Sequence, residues 1–128
     1  MATKEHSKVK RAKTSYQYLD AAAADYMAGD LTGSSANMWQ AAEIALTAVA
    51  KSRGWPHQTK DDLESALWTL NKEFGELYLS GSWAVADTLR DNIQDDFLER
   101  GEIRMARPLI LNFVGELLEL AKRTPEIP

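Results

Sequence analysis

GDLTGSSANMWQAAEIALTAVAKSRGWPH, residues Gly29 to His57, reads in three parts. Gly29 is placed to end a helix, because glycine takes a left-handed backbone without a Cβ clash. Residues 30–35, DLTGSS, are turn-rich, and Ser34 or Ser35 can cap the next helix. That helix is predicted from about Ser35 to Arg53, with Met38, Ala42, Ala45, Leu46 and Val49 on its buried face and Trp39 beside them. Alanines at 36, 41, 42, 45, 48 and 50 let a neighbouring helix approach closely. Lys51 and Arg53 fall in the last turn, where positive charge favours the helix dipole. Gly54 stops the helix and Pro56 prevents its resumption.

Upstream, Val9, Ala12, Tyr16, Leu19, Ala23 and Tyr26 recur at steps of three and four, predicting a helix from about Ser7 to Ala28. Downstream, Leu63, Ala66, Leu67, Leu70 and Phe74 predict a helix from Lys60 to Phe74, with Thr59 as N-cap and Asp61 and Asp62 in its first turn. It ends at Gly75, or runs on to stop at residues 80–82. The next helix is expected from about Ser82 to Glu99, with Trp83, Ala86, Leu89, Ile93 and Phe97 inside. Past Gly101, the residues Ile103, Ala106, Ile110, Phe113, Leu117 and Leu120 share one face. Pro108 is awkward there, since an interior proline costs roughly 3 kcal/mol. Either a helix starts at Arg107 with Pro108 at its first position, or a short turn precedes a kink. No stretch alternates as a strand, and no repeat or linker stands out. The expected fold is all-α: an up-and-down antiparallel bundle of four to five helices over residues 1–123, with a disordered tail at 124–128.

The chain has 128 residues, enough for one domain with a real core. It has no Cys, which excludes disulfides, thiolate nucleophiles and Cys-based zinc sites. Net charge is −4, but residues 1–13 carry five basic groups against one acid, leaving the rest at about −8. The basic end reads as a solvated first turn or as a local contact to phosphate. There is no apolar run long enough for a membrane span and no secretory h-region, so a cytoplasmic location is expected.

Catalytic signatures are sparse. Of the two histidines, His6 lies in the basic N-terminus, and His57 lies near Lys51, Arg53 and Lys60. A His and a Trp in a cationic neighbourhood can grip a phosphate or a base; equally, Trp55 can tuck into the bundle end while His57 faces solvent. Asp87, Asp91 and Asp95 are spaced four apart and can share a hard cation, or form a solvated face paired to Arg90 or Arg100. Helical di-metal sites draw Glu and His inward from several helices, and no Glu-x-x-His occurs, so no metal and no cofactor are expected. G-x-S-x-G is absent, and Gly29 and Gly33 lack phosphate-loop spacing. Trp39, Trp55, Trp68 and Trp83 serve as core or as a dimer surface.

The pattern Tyr26-x-x-Gly29-Asp30-Leu31, then Trp39-x-Ala41-Ala42, Ala45, and Lys51-x-Arg53-Gly54-Trp55-x-His57, resembles the HEPN superfamily, closest to its small archaeal repeat-element (PaREP-type) proteins. That resemblance implies a helical bundle, often a homodimer. Its members include endoribonucleases of toxin and defence systems, partners of minimal nucleotidyltransferases, and non-catalytic nucleotide- or RNA-binding modules. Catalytic members carry an Arg, a polar residue and then a His one turn on. The nearest match is Arg90-Asp91-Asn92-Ile93-Gln94-Asp95, with Asp95 where His belongs; a second register keeps Asn92 but puts Arg90 at the His. Cleavage by a 2′-hydroxyl needs acid and base near neutral pH, which His supplies best. The expected function is therefore a non-catalytic module that binds a protein partner, nucleotide or RNA through Lys51, Arg53, Trp55, His57, Arg90 and Asn92. Its expected partners are a second copy, a nucleotidyltransferase or toxin-like protein, or RNA. A divergent metal-independent endoribonuclease is the alternative. A plain interaction scaffold like a tetratricopeptide pair is a third, although no second copy occurs at that repeat's period.

Overall fold

In the computed structural model, which describes residues 13–123, five α-helices and one short 3₁₀ turn succeed one another with no strand among the described residues. They are α1 (Ser15–Met27), α2 (Leu31–Ser52), α3 (Lys60–Glu73), α4 (Leu79–Asp95) and α5 (Arg100–Lys122). The all-α bundle predicted from periodicity is what the chain forms. The expected tail and most of the basic N-terminus, His6 included, lie outside the described residues.

Two joints set the geometry around α2. At the end of α1, Asp30 N–H donates to Asp25 O (2.8 Å) and Gly29 N–H to Tyr26 O (3.1 Å), with Gly29 at φ +83°. At the end of α2, Trp55 N–H donates to Ala50 O (2.8 Å) and Gly54 N–H to Lys51 O (3.1 Å), with Gly54 at φ +71°. Both are Schellman endings. Asp30 also caps α2, its Oδ1 accepting from Gly33 N–H at 2.9 Å. So α2 begins at Leu31 rather than Ser35: the aspartate cap supersedes the serines, whose hydroxyls instead point into the bundle. Similarly, Thr14 and Gln17 form a reciprocal cap that starts α1 at Ser15, and the part of the expected helix from Ser7 to Ala12 lies outside the described residues.

Helix α2 touches all four other helices. Against α1 it packs antiparallel and close, because small residues meet there. Ser34 Oγ donates to Ala22 O, and Ser15 Oγ to Ala41 O, each at 2.9 Å. Met38, Ala41, Ala42, Ala45, Leu46, Val49 and Ala50 are fully enclosed. Trp39 meets Trp83 of α4 at 5.1 Å between ring centroids, and Trp83 meets Phe113 of α5 at 6.2 Å. Trp68 is exposed.

Several boundaries and faces differ from expectation. Phe74 ends α3; a turn over Gly75–Leu77 and a left-handed Tyr78 (φ +52°) lead straight into α4, whose first turn contains residues 80–82. Leu79 is buried there, and Asn92 takes the inward position expected of Ile93. Ile93 is exposed because the inward face of α4 runs through Trp83, Ala86, Leu89 and Asn92, and Phe97 is exposed beyond the end of α4, where Asp96 turns left-handed (φ +46°). Tyr16 is half exposed because the inward face of α1 is Ser15, Leu19 and Ala22. Helix α5 includes Gly101 and runs unbroken through Pro108. The proline is on the exposed side, so the carbonyl left without its N–H partner, that of Arg104, faces solvent rather than the core. All six inward residues expected of α5 are buried.

Candidate functional site

The exit loop of α2 sends its side chains in two directions. Arg53 Nη1 reaches both oxygens of Glu73 (3.0 and 3.3 Å), and its guanidinium lies 5.2 Å from the Trp55 ring centroid. Trp55 packs against the core. Arg53 is thus paired, stacked and half-buried, tying the ends of α2 and α3 together. Lys51 and His57 turn instead to a groove of about 510 Å³, shared with Lys13, Glu43 and Lys60. Ile44, Ala48 and Leu63 supply its apolar wall.

His57 Nδ1 lies 3.0 Å from Trp55 O. A carbonyl only accepts, so Nδ1 is the donor of that hydrogen bond. Lys60 is held at 3.0 Å by Glu64 Oε2 and lies 3.2 Å from Asp87 Oδ1. These contacts, the Glu64 hydrogen bond first, raise the lysine above its usual pKa. Glu64 is correspondingly lowered, chiefly by Lys60 and then by the Trp83 indole, whose Nε1 donates to it at 3.3 Å. Glu43 is pushed up by burial, while the charge of Arg90 works against that rise. The groove therefore has two exposed lysines, a tethered one, a histidine and one carboxyl whose pKa burial raises.

Arg90 and Asn92 belong to neither group. Arg90 lies 5.6 Å from the Trp39 ring centroid and lines a separate cavity of about 310 Å³ with Gln40, Asp91 and Asp95. Trp39 lies one helical turn before Glu43, so the two cavities are separate but near enough for the charge of Arg90 to reach that carboxyl. No histidine lines the Arg90 cavity; His57, the one histidine among the described residues, is on the other groove. Asn92 is fully buried, so it does not meet a ligand. Its Nδ2 donates to Ser35 Oγ (2.9 Å), and its Oδ1 accepts from Phe97 N–H and Leu98 N–H, both at 2.7 Å.

Of the six residues singled out from the sequence, then, Lys51 and His57 share a site, Arg53 and Trp55 brace it, Arg90 lies apart and Asn92 is structural. Lys60 belonged to the cationic neighbourhood read around His57, but Lys13 and Glu43 were missed: no motif links positions 13 and 43 to that loop, and only helix packing joins them. No three of His, Asp or Glu gather as metal ligands among the described residues, and no described helix is long and apolar enough to cross a membrane. Compared with known proteins, the chain matches no family model, no curated sequence and no solved structure.

Proposed function

We propose that the chain is a non-catalytic, HEPN-like helical module that binds a phosphate-bearing ligand, a nucleotide or an RNA, in the groove between α2 and the start of α3. The observation that supports this is the convergence of Lys13, Lys51, His57 and Lys60 on one cavity from separate parts of the chain. Lysine is a point-charge phosphate binder, and exposed lysines keep that charge available. Glu43 is the one acid lining the groove and works against an anion there. The apolar wall of Ile44, Ala48 and Leu63 offers a surface to a base or sugar. The non-catalytic part rests on chemistry: the Arg90 cavity is lined also by Asp91 and Asp95, which add negative charge where a ribonuclease needs a proton carrier.

Titration with ATP and with a short fluorescent oligoribonucleotide tests the reading. Binding should weaken steeply with salt and fall about tenfold in Lys51→Glu, with helical content unchanged. Glu43→Gln should tighten it. Failure of both probes to bind, or equal binding by Lys51→Glu, would refute the assignment. In a digestion assay the purified protein should leave RNA intact; cleavage that disappears in Arg90→Ala would establish the ribonuclease alternative instead.

A further inference from the structure

A second cationic face lies between α1 and α5, apart from the lysine groove. Arg100, Arg104 and Arg107 are spaced four and three apart, so they form one stripe along α5. Among the described residues none of the three has a carboxylate within ion-pair distance. The nearest acids of the α1–α2 joint are engaged: Asp25 Oδ2 accepts from Asn37 Nδ2 (2.7 Å), and Asp30 caps α2. Arg100 is fixed over the Tyr26 ring, 4.2 Å from its centroid, and donates to Tyr26 O at 3.2 Å. Arg104 and Arg107 rim an apolar pit of about 230 Å³ whose walls include Ala23, Met38 and Ile103. Met27 stands at its edge with 77% of its surface exposed.

Arg100 is the first residue of α5, where the helix dipole disfavours positive charge. An anionic partner would offset that cost and supply the carboxylates the arginines lack. The pit itself is apolar: Ala23, Met27, Met38 and Ile103 carry no side-chain N–H or O–H, Ser34 already donates its hydroxyl to Ala22 O, and Arg100 covers one face of the Tyr26 ring. Such walls suit an aliphatic or aromatic side chain, with the arginines at the rim left for its acidic neighbours.

We propose that this α1–α5 face docks an acidic segment of a partner protein, with carboxylates on Arg104 and Arg107 and one large apolar side chain in the pit beside Met27. This is the familiar division of an interface into an apolar anchor and a charged rim.

Fluorescence anisotropy with a labelled synthetic peptide of Glu and Asp around a single central Phe tests it on the full chain. The expected result is saturable binding, weakened about tenfold or more by Arg104→Glu with Arg107→Glu, and likewise by replacing the peptide's Phe with Ala. Lys51→Glu should leave it unchanged, which separates this face from the lysine groove. Circular dichroism checks folding, and Met27→Ser replaces the double variant if that one unfolds. No saturation at about 1 mM, or equal binding by the variants, overturns the proposal. So does an oligoribonucleotide that binds this face in place of the peptide, or a concentration-dependent dimer that dissociates in the same variants.

Discussion

Asn92 makes three hydrogen bonds without access to water, and two of them hold the backbone that turns α4 into α5. Asn92→Ala strands the N–H groups of Phe97 and Leu98 and should cost about 3 kcal/mol in urea unfolding. Charge is tuned near the surface as well. Glu64 sits below the usual carboxylate range because Lys60 and then Trp83 hydrogen-bond its charged form. Its contribution is present above the unfolded-state value and is lost as pH falls through the lowered folded value. Lys60 is raised, so its side of the pair is intact below the ordinary lysine value and is lost only as pH rises through the raised one. Glu64→Gln should therefore flatten the acid limb of the stability curve. Glu116 behaves oppositely. One of its carboxylate oxygens is enclosed without a partner among the described residues, and burial raises its pKa. The folded state then binds the proton more readily than the unfolded, so stability drops as pH rises from the ordinary carboxylate value to the raised one. Glu116→Gln should remove that drop, giving a slightly higher Tm at neutral pH and little change in acid.

At the scale of the element, ends decide more than interiors. The Schellman endings at Gly29 and Gly54 need left-handed backbone, so Gly29→Ala, whose Cβ would meet nothing, should cost only the conformational term of about 1 kcal/mol. The aspartate cap at Asp30 explains why α2 begins four residues before Ser35. A serine pair looks like a cap in sequence, but each hydroxyl here found a carbonyl in the bundle. Pro108 is the one clear violation inside an element. Its ring and missing N–H weaken α5, while its rigidity restrains the unfolded chain, so Pro108→Ala should raise stability by about 1–2 kcal/mol, read as a higher Tm. A loss would mean that the proline has a packing role not evident from its exposed position.

For the molecule as a whole, α2 is the post against which every other helix leans. Ala41, Ala42, Ala45 and Ala50 are fully enclosed, and a larger side chain would push a neighbour away. Ala45→Leu should cost about 1–3 kcal/mol, seen as a lower urea midpoint. The helices, the glycine stops and most of the core of α2, α3 and α5 were legible from Gly29–His57 outward, because apolar period and capping chemistry are local properties of the chain. Sequence alone also marked Lys51 and His57 as candidates, since a basic, aromatic exit loop is visible as such. It misjudged Asn92 and Ile93, because the inward face of α4 runs through Ala86 and Leu89 to a polar residue whose hydrogen-bond partners only packing supplies, and Phe97, because it lies past the left-handed end at Asp96. It did not find the groove of Lys13, Glu43, Lys51, His57 and Lys60, nor the arginine-rimmed pit of α1 and α5. Those surfaces join residues up to 47 and 84 positions apart. Local periodicity has no reach across such distances; the packing of α1, α3 and α5 around one alanine-rich helix is what brought them together.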